Sequence, residues 1–243
     1  MALSFALAKR IAILLGLYRP ARTLHTYIFH KKTYDAYRRI FSEFIGKGEL
    51  AFDVGANTGD VTDCMLSIGA SVVAFEPQPV CAKELRLRGT NLCVAEMAVG
   101  SSEGLAEMYL KSESTHASLI SGYHHGPDFG TIRVPVTTLD AAIAKYGKPT
   151  FCKIDVEGFE VEVLRGLSIP INLNFEYHTQ EHGVEHVREC IKILTRLGAP
   201  RLNLIGEASG KWLLPEWRSP AEFLGQFPAC SIPYTWGDVF VRF

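Results

Sequence analysis

The chain has 243 residues, of which 47% are hydrophobic and 21% are charged, and its formal net charge is −1. This length and composition suit one α/β domain with a well-buried core, or such a domain with a small attachment. They argue against two full-sized domains, a disordered chain and a repeat solenoid. The net charge hides an asymmetry, because residues 1–48 hold nine Lys or Arg against two acids, a net of +7.

The first 48 residues are predicted to form a helical extension, and residues 49–243 a single domain. Aromatic side chains recur at helical spacing in the extension, at Tyr34, Tyr37, Phe41 and Phe44. The apolar run at residues 11–18 is far shorter than the ~20 residues that cross a bilayer. The basic, apolar extension is therefore expected to pack on the domain, dock peripherally on an anionic membrane, or form a contact in a homo-oligomer.

The six cysteines occur singly, without CxxC spacing or the density of a disulfide scaffold. We interpret them as reduced residues of the core, which favours a cytoplasmic location. The cysteines are Cys64, Cys81, Cys93, Cys152, Cys190 and Cys230.

Apolar runs and helical patterns alternate along most of the chain, which predicts a doubly wound α/β domain with a parallel sheet. The predicted strands are residues 50–54, 71–76, 91–99, 150–155 and 171–178, and two closing strands at 201–206 and 236–243. Two additional strands, near 105–110 and 131–138, interrupt the alternation and flank a long polar stretch at residues 111–130. Such a long loop in a compact domain is usually functional or mobile.

The first strand runs into a glycine turn, FDVGANTGD, at residues 52–60. In this fold the ligand lies at the carboxyl ends of the strands, where such a turn precedes a helix N-terminus. The spacing Gly55-x-x-x-Gly59 with Asn57 between lacks the central glycine of a dinucleotide fingerprint. No Gly-Lys-Ser/Thr follows, so a Walker A loop is also excluded.

Two acids accompany this turn: Asp53 precedes the first glycine by two residues, and Glu76 ends the next strand. Glu76 lies where a carboxylate can accept both ribose hydroxyls. Asp53 faces a turn with no phosphate, which suits a cationic ligand. S-adenosylmethionine, with an ammonium, a sulfonium and a free ribose, fits both acids, whereas the alternative is a tight structural turn with a solvated Glu76.

Several segments in order resemble the FkbM-type family of class I S-adenosylmethionine-dependent methyltransferases. They are DVGANTGDVT with AFEPQP, TTLD (137–140), KIDVEGFEVEVLRG (153–166) and FEYH (175–178). The resemblance implies a mostly parallel seven-stranded Rossmann-like sheet, to which the predicted N-terminal helical extension, residues 1–48, is an addition that matches no motif of the family. It implies that Asp53, Gly55, Asn57 and Gly59 cradle the methionine part of the cofactor, that Glu76 holds the ribose, and that Met97 and Ala98 flank the adenine.

The resemblance also places Asp155 and Glu157 at the methyl-transfer face, and Glu176 and His178 end the neighbouring strand. All four side chains are expected to converge on one crevice, where they offer a general base for an acceptor hydroxyl. Asp155 is expected to be the centre of catalysis, with capping of the next helix as its structural alternative. No metal is expected; the alternative is a divalent ion bound by Asp155, Glu176 and His178.

The sequence therefore predicts an O-methyltransferase acting on a hydroxyl of a small molecule or sugar, in glycan or secondary-metabolite biosynthesis. A nucleic-acid acceptor is not expected, because the acidic, non-aromatic position after the fourth strand is poor for stacking a flipped base. An NAD(P)-binding oxidoreductase and a non-catalytic, membrane-docked cofactor module remain the alternatives.

Overall fold

The computed structural model describes residues 31–111, 114–123, 129–179, 183–207, 209–231 and 233–243. The apolar run at residues 11–18 and the loop histidines His124, His125 and His182 lie outside the described residues.

Strands and helices alternate through most of the described chain. The strands are β1 (Leu50–Val54), β2 (Ser71–Phe75), β3 (Leu92–Ala95), β4 (Ala98–Val99), β5 (Gly104–Tyr109), β6 (Thr131–Thr137), β7 (Phe151–Ile154), β8 (Leu173–His178), β9 (Arg201–Gly206) and β10 (Trp236–Arg242). The helices are α1 (Lys31–Phe41), α2 (Asp60–Ile68), α3 (Pro79–Leu85), α4 (Leu139–Tyr146), α5 (Glu160–Arg165), α6 (Gly183–Thr195) and α7 (Pro220–Ser231). A short 3₁₀ turn covers Ser114–His116.

The main sheet has seven strands in the order β3-β2-β1-β7-β8-β10-β9. Strands β3, β2, β1, β7 and β8 pair in parallel, and β10 runs antiparallel to both β8 and β9. The mostly parallel seven-stranded sheet is confirmed. Because parallel strands end at the same edge, the turns after β1, β2, β7 and β8 meet there, and this edge carries the site.

A second sheet of three strands, in the order β4-β6-β5, lies outside this arrangement. The prediction of one strand over residues 91–99 was wrong, because the chain turns after Ala95 and changes partner. Met97 N donates back to Ala95 O over 2.9 Å, and the following residues pair with β6 instead of β2. A continuous apolar run does not reveal such a change of partner.

Helix α1 contributes to the core of the domain. Its buried residues Ile40 and Phe41 pack against the sheet, where Phe41 contacts Phe151 and Phe240 with ring centroids 5.5 and 6.4 Å apart. The described part of the N-terminal extension therefore shares a hydrophobic core with the sheet, and its folding is coupled to that of the domain.

All six cysteines are free thiols, and four of them are buried. The prediction that all six cysteines lie in the core was wrong for Cys93, which is exposed because it lies on the edge strand β3. Cys230 is half-buried. No helix among the described residues has the length and apolar character to cross a membrane.

Candidate active site

The glycine turn brings two loops into backbone contact. Gly55 has φ +79°, and a Cβ at this position would lie 1.7 Å from Asp155 O. Gly59, with φ +86°, begins helix α2 and faces Leu85 and Arg88, so it packs the turn against helix α3. Only glycine permits the close approach at Gly55, which places the turn after β1 directly beside the turn after β7.

Glu76 binds the glycine turn from the end of β2. Its Oε2 accepts a hydrogen bond from Asn57 N and its Oε1 from Gln78 N, both over 2.7 Å. The side chain is 2% exposed, and burial raises its pKa to about 7 despite these two hydrogen bonds. Glu76 thus lines the crevice as a carboxylate whose ionisation falls near neutral pH.

The crevice lies above β1 and β2 and holds about 640 Å³ of non-atom space, a figure that includes the part open to solvent. Asn57, Glu76, Met97 and Ala98 are among its lining residues, and Met97 and Ala98 form part of an apolar wall. Gln78 Nε2 donates to Ser114 O over 2.9 Å. Five residues of the following segment also line the crevice: Ser114, Thr115, Ala117, Ser118 and Leu119. The predicted long loop thus contributes a wall of the crevice.

Asp53 lies next to this crevice, although it is not among the lining residues. It is fully buried, and its Oδ2 accepts a hydrogen bond from Thr62 Oγ1 over 2.5 Å. Its Oδ1 accepts no hydrogen bond from the described residues, and burial raises the pKa of its carboxyl. Asp53 on β1 pairs with Lys153 on β7, so the two side chains point to the same face of the sheet. This is the face that packs against α1, because Ala51 and Phe151, two residues earlier on the same strands, share an apolar cluster with that helix.

Asp155 lines the crevice and forms an ion pair with a buried lysine. Lys153 Nζ lies 2.5 Å from Asp155 Oδ2, and the lysine side chain is only 6% exposed. Burial disfavours its charge, but Asp155 and Asp53 outweigh that effect and raise the pKa of Lys153 above its usual value. The capping alternative for Asp155 was wrong, because α5 begins only at Glu160 and its N-cap residue is Phe159.

Glu157, Glu176 and His178 converge beside this ion pair. His178 Nε2 lies 2.9 Å from Glu176 Oε2, and one ligand atom from each of the three side chains lies within 4.8 Å of the others. Burial and the nearby carboxylates of Asp155 and Glu157 raise the pKa of Glu176 well above its ordinary value. The group could share a proton or, with two carboxylates and an imidazole, hold a divalent cation.

The conformation of the loop after β7 depends on Glu160. Its Oε1 accepts hydrogen bonds from Val156 N (3.0 Å) and Gly158 N (3.2 Å), and its Oε2 lies 2.9 Å from His186 Nε2. This carboxylate helps to hold Glu157 at φ +55°, a conformation that costs energy in a residue other than glycine. His186 therefore stabilises this loop through Glu160.

Three comparisons relate this chain to known proteins. A sequence model of the methyltransferase FkbM domain matches residues 53–199. The chain belongs to the FkbM methyltransferase family. It is 29% identical over 165 residues to the hexuronic acid methyltransferase AglP of Haloferax volcanii; the alignment covers 65% of this chain and 66% of that relative, just under two thirds of its length.

Two solved structures are similar to this FkbM-family chain. One is precorrin-6y C5,15-methyltransferase from Geobacter metallireducens, with 12% identity, a TM-score of 0.42, and coverage of 87% of this chain and 84% of that one. The other is an S-adenosylmethionine-dependent methyltransferase from Geobacter sulfurreducens in complex with S-adenosyl-L-homocysteine, with 11% identity, a TM-score of 0.42, and coverage of 85% and 89%.

The cofactor of an FkbM methyltransferase is S-adenosylmethionine, and the residues of the crevice fit it. Glu76 offers a carboxylate to ribose hydroxyls, and Met97 and Ala98 offer apolar surface to a ring. The buried Oδ1 of Asp53, without a hydrogen-bond donor among the described residues, adds negative charge beneath the turn. These features match a ligand with a ribose, an apolar ring and a cationic end.

Sequence reasoning assigned no part in this site to five residues that support it. They are Tyr37, Lys153, Glu160, Asn174 and Asp238. Only Lys153 and Glu160 carried a detectable signal, since both belong to the KIDVEGFE motif. The other three come from distant segments of the chain.

Proposed function

We propose that the protein transfers the methyl group of S-adenosylmethionine to a hydroxyl oxygen of a sugar or sugar-like small molecule. The observation that carries this proposal is the Glu176–His178 pair, 2.9 Å apart at the strand edge beside the crevice. The cofactor supplies an electrophilic methyl group on a sulfonium sulfur. The protein has to align the acceptor oxygen with it and remove the hydroxyl proton.

The Glu176–His178 pair is proposed as the general base. Its carboxylate is buried among other carboxylates, which increase its affinity for a proton. A positioned base of this kind contributes roughly 10²- to 10⁴-fold to the rate. Asp155 Oδ2 lies 2.5 Å from Lys153 Nζ. We propose that Asp155 aligns the acceptor beside the crevice.

The charge of this region favours a hydroxyl over a carboxylate as the methyl acceptor. Asp155 and Glu157 would repel an anionic oxygen, whereas a hydroxyl can donate a hydrogen bond to either of them. A carboxylate acceptor also needs no base, so the proton-accepting pair would have no role in that reaction. The name of the relative, a hexuronic acid methyltransferase, supports a sugar as the acceptor class.

The setting of the reaction follows from the same observations. A sugar acceptor suits a role in glycan or secondary-metabolite biosynthesis. The six free thiols support a reducing compartment, which we propose to be the cytoplasm.

Methyl transfer from radiolabelled S-adenosylmethionine to a panel of neutral sugars, amino sugars, uronic acids and polyketides tests this proposal. We expect an alkali-stable methyl ether, and an alkali-labile methyl ester or an N-methyl product would contradict it. Glu176→Gln should lower turnover by about 10²-fold with little change in cofactor affinity. The matched control is Glu185→Gln, whose side chain is 82% exposed at the start of α6.

A further inference from the structure

A row of polar side chains lies on the α1 side of the main sheet, at its carboxyl edge. Strand register places five of them on this face: Asp53, Lys153, Asn174, Glu176 and Asp238. Three are carboxylic acids, and Lys153 is the ammonium group among them. Burying carboxylates is costly unless each is paired or hydrogen-bonded, so the partners of each one matter.

Asp238 is the carboxylate in this row whose two oxygens are both held by protein donors. Tyr37 Oη donates to Asp238 Oδ2 over 2.9 Å, and Asn174 Nδ2 donates to Asp238 Oδ1 over 2.6 Å. Asp238 is 2% exposed, and it lies directly opposite Glu176 in the β8–β10 pair. Side chains opposite each other in an antiparallel pair have Cβ atoms about 5 Å apart.

The Tyr37 hydroxyl remains a donor under all ordinary conditions. Burial and the carboxylates of Asp238, Asp155 and Glu176 raise the pKa of this phenol well above its usual value. Its hydrogen bond therefore stabilises the ionised form of Asp238, and that charge acts on Glu176 across the strand pair. The contact links residues 201 positions apart in the chain.

We infer that Tyr37 is a positioning residue of the acceptor side, acting through Asp238 on the Glu176–His178 pair. Helix α1 is then part of the catalytic unit as well as part of the core. The inference rests on the proposed function in one respect, the assignment of that pair as the base. It goes beyond that proposal because Tyr37 lies on a helix that precedes the first strand, and its hydroxyl donates to Asp238 and not to the pair itself.

A comparison with Tyr34 distinguishes this positioning role of Tyr37 from a role that only attaches the helix to the domain. Its hydroxyl, on the same helix, donates to Asp63 O on α2 over 3.2 Å, away from the β8–β10 pair. Tyr34→Phe and Tyr37→Phe each remove one hydroxyl that attaches α1 to the domain. A purely structural role predicts the same pattern for both variants, a loss of stability without a specific loss of turnover.

The experiment compares these two variants with the unmodified protein, using the sugar that the acceptor panel identifies. Tyr37→Phe should lower kcat about tenfold, leave the KM for S-adenosylmethionine within about twofold, and spare folding at the assay temperature. Tyr34→Phe should leave kcat unchanged. Equal kcat values for Tyr37→Phe and Tyr34→Phe would overturn the inference.

A second measurement needs no acceptor. Nitrogen-15 spectra of histidine-labelled protein, recorded with EDTA, report the tautomer and hydrogen bonding of His178, whose signals are assigned with His178→Gln. Tyr37→Phe should shift these signals and Tyr34→Phe should not. If no panel compound is methylated, the proposed function fails, and the histidine spectra still decide on Tyr37: unshifted His178 signals reject the inference.

Discussion

Gly55 and Asp155 meet through their backbones, since a Cβ on Gly55 would lie 1.7 Å from the Asp155 carbonyl oxygen. This contact joins the turn that precedes α2 to the loop that carries Asp155 and Glu157. A displacement of either loop would therefore disturb the other, and with it both the proposed cofactor side and the proposed acceptor side of the site.

Gly55→Ala is expected to destabilise the protein by about 3 kcal/mol or more, because it combines an unfavourable φ with a backbone clash. Urea unfolding measures this change, and calorimetry should show loss of S-adenosylmethionine binding. Gly48→Ala is the matched control, because Gly48 has a similar φ, +81°, but no atom lies within 4 Å of the added Cβ. We expect about 1 kcal/mol for the control; equal costs for the two variants would argue against the clash.

Cofactor affinity should depend on pH through Glu76. Burial raises the pKa of Glu76 to about 7, and only its ionised form accepts hydrogen bonds from both ribose hydroxyls. Affinity should therefore be full above pH 7 and decrease as the pH falls through 7, by about tenfold at pH 6. Calorimetry between pH 6 and 8.5 measures this dependence.

Glu76→Gln should weaken binding by about 1.5–3 kcal/mol and abolish the pH dependence. Glu96→Gln serves as the control, because Glu96 pairs with Arg86 on the surface and lies outside the crevice. A pH dependence that persists in Glu76→Gln would assign the titration to another group.

Asp155→Asn should lower turnover by about 10²-fold with little change in cofactor affinity. It also removes the nearest carboxylate from the buried Lys153. We expect a stability loss of about 2 kcal/mol, below the 3–5 kcal/mol typical of fully buried pairs, because Asp155 is 28% exposed. Thermal unfolding measures the stability loss, and steady-state kinetics measure the loss of turnover. If the single variant retains full turnover, Asp155 has no part in alignment.

Chelation should leave the activity unchanged, because the proposed mechanism needs only a base and alignment. The alternative is specific: Glu157, Glu176 and His178 lie close enough together to share a divalent cation. Activity that vanishes with EDTA and returns with magnesium would assign these three side chains as ligands. The bound metal would then lower the proton affinity of the acceptor oxygen, and Glu157→Gln should weaken magnesium binding.

Much of this protein was predictable from local patterns. Apolar periodicity located the strands of the main sheet, because burial on one or both faces of an element leaves a repeating signal along the chain. The exception is the break after Ala95. The pattern missed helix α7, because Pro228 lies within it although Phe223 and Phe227 are buried on one face. The glycine turn, Glu76 and KIDVEG could be assigned to strand ends because short loops keep those residues near the strands they follow.

The neighbours of these residues were decided only by the tertiary structure. Lys153 and Asp155 could have been paired from their spacing, since residues two apart on a strand share a face. The contacts between Tyr37 and Asp238 and between Glu160 and His186 could not, because they join segments 201 and 26 residues apart. The first exists because strand order places β10 beside β8 and packing places α1 over that face, and the second because α5 packs against α6. Both arrangements are outcomes of the whole core, which no local pattern encodes.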